Sequence, residues 1–291
     1  MSSQAFQAVT SKLIANSVSQ GINAFAYFDW PQTLEEDQYW FSPDALSVAH
    51  TDKRDELTEA ELIRLAKWEC VNSFSLNTLG ERELIENMTN VMEQLKLGDA
   101  QEYLYHFINE ENQHMWYFQK FCRAYAGKIY PSIAIPVEEK TLSKPLHHFL
   151  VFARIVLFEE IGHYFNIQNH KDERVHPFVR SINEAHYNDE ARHITFGRRV
   201  LRELAADALT NDEDVAIATH ELSKTLLVNY NALYNPSMYR DAGLESPMKI
   251  RSYLIDHPAR QSLYKNVILK SANAAFVKIG ITLNFPGDEN D

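Results

Sequence analysis

The sequence predicts an all-α protein built around a bundle of long helices. Glycine (9) and proline (10) are few among the 291 residues and fall mostly between long helix-favouring stretches. Those stretches carry start and stop signals at their ends. Two of them also carry an acidic pair followed by histidine, with Glu and His three residues apart. The length suits one large core, and one domain over 1–291 is expected, with core helices at about 57–207.

In chain order, MSSQAFQAVTSKLIANSVSQ is amphipathic and reads as a helix rather than a secretory leader. Residues of about 21–56 are the exception to the helical pattern. Gly21, Pro31, Pro43 and Asp44 interleave with Phe28, Trp30, Tyr39, Trp40 and Phe41, which predicts a long connection packed on the body by its rings. Thr58, followed by Glu59 and Glu61, is an N-cap with an acidic first turn. The helix it starts carries Leu62, Leu65, Cys70, Leu76 and Leu79, and runs to about Leu97, before Gly98-Asp99. A second helix covers about 100–126 and ends near Gly127, and Pro131 and Pro136 fall in a loop. Pro145 suits the first turn of a helix over about 143–170. A break at Lys171–Asp172 and Pro177 leads into a helix over about 175–207. Two further segments, about 211–233 and 246–278, are separated by Pro236, Gly243 and Pro247, and the tail FPGDEND is expected to fray.

Composition narrows the function classes. Hydrophobic residues at 45% and charged residues at 23% fit an ordinary globular protein. A net charge of −12 argues against nucleic acid as a partner. No apolar run is long enough to span a membrane. Cys70 and Cys122 lack paired spacing, which excludes a disulfide framework and favours a cytoplasmic setting.

The chemistry lies in Glu110-Glu111-Asn112-Gln113-His114 and Asp189-Glu190-Ala191-Arg192-His193. Residues three apart on a helix share a face, about 60° apart around the axis, so one carboxylate and one imidazole reach the same ion. Two such motifs, joined by one Glu from each of two further helices, form the di-iron carboxylate site of a ferritin-like four-helix bundle. The pairing alone is weak, because Glu160/His163 and Glu173/His176 have the same spacing, and Glu173/His176 runs into Pro177 at a helix start. The lone glutamates are the discriminating evidence. Glu81 lies thirty residues before Glu111, and Glu159 thirty-one before Glu190. Helices joined by a tight turn bring positions about thirty apart to one height. Glu81, beside Arg82 and Glu83, could instead be an exposed charge. Glu159 has its neighbour Glu160 as a rival, and only one of the two can face the bundle. His186, Glu190 and His193 share a stripe at i, i+4 and i+7; a buried structural histidine is the alternative for His186. Four carboxylates balance two Fe²⁺ ions, and mixed oxygen and imidazole donors suit iron or manganese. Glu110 and Asp189 are expected to accept a hydrogen bond from the second nitrogen of a ligating histidine on the opposite motif, with plain surface charge as the alternative.

The stretches LTEAELIRLAKWEC, LGERELI, NEENQHMWYF, VLFEEIGHYF and DERVHPFVRSINEAHYNDEARHITF, covering about residues 57–200, resemble the AurF-type N-oxygenases, relatives of p-aminobenzoate N-oxygenase. The last block is the most specific, combining DExxH with a histidine four residues before its Glu. The resemblance implies an additional histidine ligand and a set of seven: Glu81, Glu111, His114, Glu159, His186, Glu190 and His193. It implies two iron ions, O₂ as co-substrate, an external electron donor, and oxygen transfer to an amine nitrogen, giving hydroxylamine, nitroso or nitro products in natural-product pathways. The extra histidine would suit the centre to an electron-rich nitrogen rather than a strong C–H bond. An aryl carboxylate would need an Arg or Lys clamp near the metals. Val71 to Gly80 contains none, and Arg154 could point inward or to solvent. The expected substrate is therefore an aliphatic amine or amino acid, free or tethered to a carrier protein. A homodimer is left open.

Three other readings compete. One keeps the metals for C–H hydroxylation, desaturation or oxidative cleavage. Another is a ferroxidase or iron store, although storage proteins are shorter, form shells and lack the His186 position. A radical-generating ribonucleotide reductase subunit would need a tyrosine beside one iron; Tyr117 and Tyr187 are close in sequence, but their helical phase is expected to point them elsewhere.

Overall fold

The computed structural model describes residues 4–131 and 142–288. Among them the protein is helical, with no strand beyond a single bridge between Tyr39 and Val175. Pro136 and the end of the tail, 289–291, lie outside the described residues.

Helix α1 (Gln4–Gln20) is followed by the aromatic connection, which contains the short helices α2 (Ala24–Tyr27) and α3 (Asp52–Asp55). The core is α4 (Glu59–Val91), α5 (Gln101–Phe121), α6 (Lys144–Lys171) and α7 (Pro177–Ala208). α4 pairs with α5 and α6 with α7 through short turns, so each pair is antiparallel; α4 also packs on α6, and α5 on α7. This is the ferritin-like arrangement. α8 (Asp212–Ala232) lies on α6, and α9 (Pro236–Asp241) on α4.

Local chemistry sets the ends. At the start of α4, Thr58 Oγ1 accepts from the Glu61 N–H, while the Thr58 N–H donates to Glu61 Oε2 at 2.9 Å, a reciprocal capping box. α6 starts behind Ser143 with Pro145 in its first turn, where a missing N–H leaves no bond unmade. His176 caps α7 by accepting from the Phe178 N–H at 3.1 Å. The second core helix departs from expectation near its end: α5 stops at Phe121 and a π-helical turn, Cys122–Ala126, continues to Gly127, whose φ of 63° ends the run.

The segment expected to be one helix over about 246–278 is divided. Pro258 cannot donate an N–H and holds His257 extended (φ −75°, ψ 122°). The result is α10 (Pro247–Ile255), α11 (Pro258–Leu263), a π-helical turn at Tyr264–Ile268, and α12 (Lys270–Val277).

The connection is held as its rings suggest. Trp40 packs edge-on to Phe121 (centroids 5.5 Å), Phe41 lies 5.6 Å from Phe165, and Phe28 meets Tyr117 at 5.3 Å. Polar ties fix its backbone: the Ala24 N–H donates to Gln113 Oε1 at 2.7 Å and the Ser42 N–H to Asn169 Oδ1 at 2.9 Å. A continuous apolar core reaches from Phe6 to Phe285. No described helix is long and apolar enough to cross a membrane.

Candidate metal centre

Inside the bundle the structure brings all seven expected side chains together, each no more than 2% exposed. They form two adjoining groups, Glu81, His114 and His186, and Glu111, Glu159, Glu190 and His193. Within each group one donor atom per residue lies within 4.8 Å of all the others. Glu111 sits between the groups, with Oε1 2.7 Å from His193 Nδ1 and Oε2 3.2 Å from His114 Nδ1. Glu190 Oε1 is 2.7 Å from His186 Nε2, 3.6 Å from His114 Nδ1 and 3.7 Å from His193 Nδ1. Two carboxylates thus stand where each can reach both groups. Of the rival pair on α6, Glu159 faces the cluster, while Glu160 turns to an ion pair with Arg198.

The outer nitrogens of two histidines point at the acids preceding each motif's glutamate, and they do so across the helix pair. His114 Nε2 lies 3.0 Å from Asp189 Oδ2, and His193 Nε2 lies 2.7 Å from Glu110 Oε2. With the proton of each imidazole held on Nε2 by its acid, Nδ1 would be free to take a metal ion on the cluster side. Arg192 joins the two acids: its Nη2 donates to Glu110 Oε1 at 2.7 Å and to Asp189 Oδ1. Burial raises the Glu110 carboxyl, but His193 and Arg192 outweigh it and hold it at about 2. His186 has a different partner, the Asn166 amide, 2.7 Å from its Nδ1. For Nε2 to be a ligand, Nδ1 must carry the proton and Asn166 must present its oxygen. Sequence reasoning missed Asn166 and Arg192. Their signals were spacing: Asn166 lies seven residues after Glu159 on the same face, and Arg192 three after Asp189.

Tyr117 corrects an expectation. It is buried, its ring lies 5.5 Å from that of His114, and burial together with Glu81, Asp189 and Glu190 pushes its hydroxyl pKa well up. A residue three after His114 shares its face, so its helical phase points toward the cluster. Tyr187 does point away, stacked between His163 and His170. The remaining Glu/His pairs have structural roles: His176 caps α7 and pairs with Glu35, and His163 packs on Tyr187.

Four carboxylates buried together are costly by several kcal/mol each unless compensated. Burial followed by the nearby Glu111 charge pushes Glu81 and Glu190 upward, whereas Glu111 is held at about 2, burial being outweighed by His193 and His114. Both oxygens of Glu81 and of Glu190, one each of Glu111 and Glu159, His186 Nε2 and His193 Nδ1 lack a hydrogen-bond partner among the described residues. Native interiors rarely leave so many polar atoms unsatisfied at one place. Cations between the two groups would satisfy them, and the oxygen and imidazole donors fit iron.

Beside the cluster, a cavity of about 140 Å³ opens between α4, α6 and α8, lined mainly by apolar side chains such as Leu76, Ile155, Phe158 and Phe165. It meets the centre at Gly162, where a Cβ would lie 3.8 Å from His186 Cε1 and 3.9 Å from Asn77 Oδ1. Arg154 is on the cavity wall, with Nη2 held 2.9 Å from Glu221 Oε2.

A bundle that converges carboxylates and histidines from four helices on one buried point defines a non-haem di-metal carboxylate protein. The family model described as p-aminobenzoate N-oxygenase AurF matches residues 3–275, and the chain belongs to that family. It is an enzyme, a non-haem di-iron oxygenase, with iron as its cofactor. No curated protein matches the sequence. Among solved structures, a point mutant of an R2-like ligand-binding oxidase with an anaerobically reconstituted Mn/Fe cofactor is similar over 91% of this chain and 93% of its own, at a TM-score of 0.48 and 18% identity.

Proposed function

We propose that this chain catalyses the O₂-dependent oxidation of an amine nitrogen, to the hydroxylamine, nitroso or nitro level, in cytoplasmic natural-product biosynthesis. The observation that carries this reading is His186: a third imidazole, added to four carboxylates and two histidines, and bordering the cavity. Glu81, His114 and His186 would hold one iron ion; Glu111, Glu159, Glu190 and His193 would hold the other. Bound there, the ions supply the electrons that activate dioxygen for insertion into a substrate bond, and an external donor replenishes them.

The protein's own residues do the rest. Asp189 and Glu110 fix the tautomers of His114 and His193. Leu76, Ile155, Phe158 and Phe165 keep water from the reacting end of the cavity. Asn77 is buried, lines the cavity beside Gly162, and its amide makes no hydrogen bond among the described residues. Its Oδ1 can accept an amine N–H and so turn the nitrogen lone pair toward the centre. Gly162, by lacking a side chain, leaves that approach open.

The test is turnover of a panel of aryl and alkyl amines by iron-loaded protein with a chemical reductant and isotopically labelled dioxygen. Label on nitrogen is expected. Label found only on carbon would replace this reading with hydroxylation, and rapid iron oxidation with no labelled product would replace it with a ferroxidase.

A further inference from the structure

A second, smaller cavity of about 30 Å³ adjoins the first, and Ser73, Leu76, Phe165 and Leu233 line both. Its far wall carries two buried opposite charges, Glu69 and Arg260, 6% and 3% exposed. Neither is a metal-cluster residue, and they form no ion pair with each other among the described residues. Glu69 accepts the Ser47 N–H at 2.8 Å on Oε2, and the Ser47 hydroxyl on Oε1. Arg260 donates through Nε to Tyr234 Oη at 3.1 Å, and through Nη1 to the carbonyls of Leu46 and Ala49 at 3.2 and 3.0 Å. Its Nη2 makes no hydrogen bond among the described residues. Both groups are therefore rigidly seated, yet each keeps hydrogen-bonding capacity unused. Burial pushes the Glu69 carboxyl up to about 7, against the pull of Ser47 and Arg260, so a cationic group beside it would be welcome.

A carboxylate and a guanidinium that line one small cavity without touching leave a gap that a zwitterion closes. A volume of about 30 Å³ takes a compact head group rather than a chain. On α4, Glu69 lies eight positions before Asn77, a rise of about 12 Å. A side chain of roughly five atoms, with a hydrogen bond of about 2.9 Å at each end, spans that distance.

Building on the N-oxygenase reading, we propose that Glu69 and Arg260 form the head-group subsite of the substrate cavity. The ligand is an α-amino acid carrying a second amine on its side chain. Its carboxylate sits on Arg260 Nη2 and its α-ammonium on Glu69 Oε2. The distal amine passes between Leu76 and Phe165 to Asn77 and Gly162, where it faces the metal centre.

The test is calorimetric binding to iron-loaded protein under nitrogen, separate from turnover. The probes are L-ornithine, L-lysine and L-para-aminophenylalanine; cadaverine lacks the carboxylate and aminohexanoate lacks the α-ammonium. At least one diamino acid is expected to bind about tenfold or more tightly than either truncated amine, the size of one lost charge-assisted hydrogen bond. Glu69→Gln should weaken that diamino acid by a similar factor and leave aminohexanoate unchanged. If no diamino acid binds, or if cadaverine binds as tightly, the subsite is wrong even where simple amines are N-oxidised. A diamino acid that binds with this preference but gains no oxygen at nitrogen would keep the subsite and remove the N-oxygenase reading.

Discussion

At the scale of single residues, the centre depends on how its histidines are held. An imidazole ligates through one nitrogen, and the proton on the other must be anchored. Here each of two histidines is anchored by the acid of the opposite motif, and Arg192 locks the two acids together. Replacing Asp189 by Asn keeps the shape but removes the charged acceptor facing His114 Nε2. Asp189→Asn is expected to lower iron affinity by about 10–100-fold, read by competition with a coloured Fe²⁺ chelator. An unchanged affinity would show that this contact has no bearing on the metal. The pairing of the acids with opposite histidines could be anticipated from sequence, because their helices face each other across the bundle. The Tyr117 orientation was misjudged although i, i+3 spacing placed it beside His114. Asn166 shares the face of Glu159 by spacing, but an amide at that offset is too common on a long helix to single out until a buried histidine is seen against it.

At the scale of elements, close helix approach sets the height at which the ligands meet. Gly197 of α7 faces α6, and a Cβ there would come within 2.7 Å of Val156 Cγ2. A side chain at this point must push α6 and α7 apart one turn from His193. Gly197→Val is expected to destabilise the protein by about 1–3 kcal/mol through overpacking, seen as a lower denaturant midpoint. Equal or greater stability would mean that the interface has slack the geometry does not show. The long helices were legible because caps and prolines speak locally: Thr58 with Glu61 starts α4, and Pro145 and Pro177 open α6 and α7. The division of the 246–278 segment rests on Pro258, also a local signal, but apolar residues on both sides of it read as one periodic run. The π-helical turn after Phe121 was not legible at all, since an extra residue per turn changes packing rather than composition.

At the scale of the whole molecule, an apolar core encloses a knot of carboxylates that it cannot neutralise by itself. A ligand that binds only the folded state stabilises it by mass action. Ferrous ion at about a hundred times its dissociation constant should add about 2.7 kcal/mol, raising the melting temperature by about 5 °C for a chain of this size. Removing the iron with a chelator should reverse the shift. Identical melting with and without iron would separate the cluster from metal binding altogether. By itself the sequence determined the helical class and the core helices, because helix periodicity and capping are local. The thirty-residue offsets, which follow from the rise per residue, marked the heights at which the glutamates and the two Glu/His motifs could meet, while the full set of seven came from the family resemblance. Only the tertiary structure decided which of Glu159 and Glu160 turns inward, that Arg192 and Asn166 support the histidines, and that a cavity runs beside His186 toward Glu69 and Arg260. Those outcomes depend on which faces of distant segments meet, and residues 191 positions apart, such as Glu69 and Arg260, carry no mark of their proximity until the chain is folded.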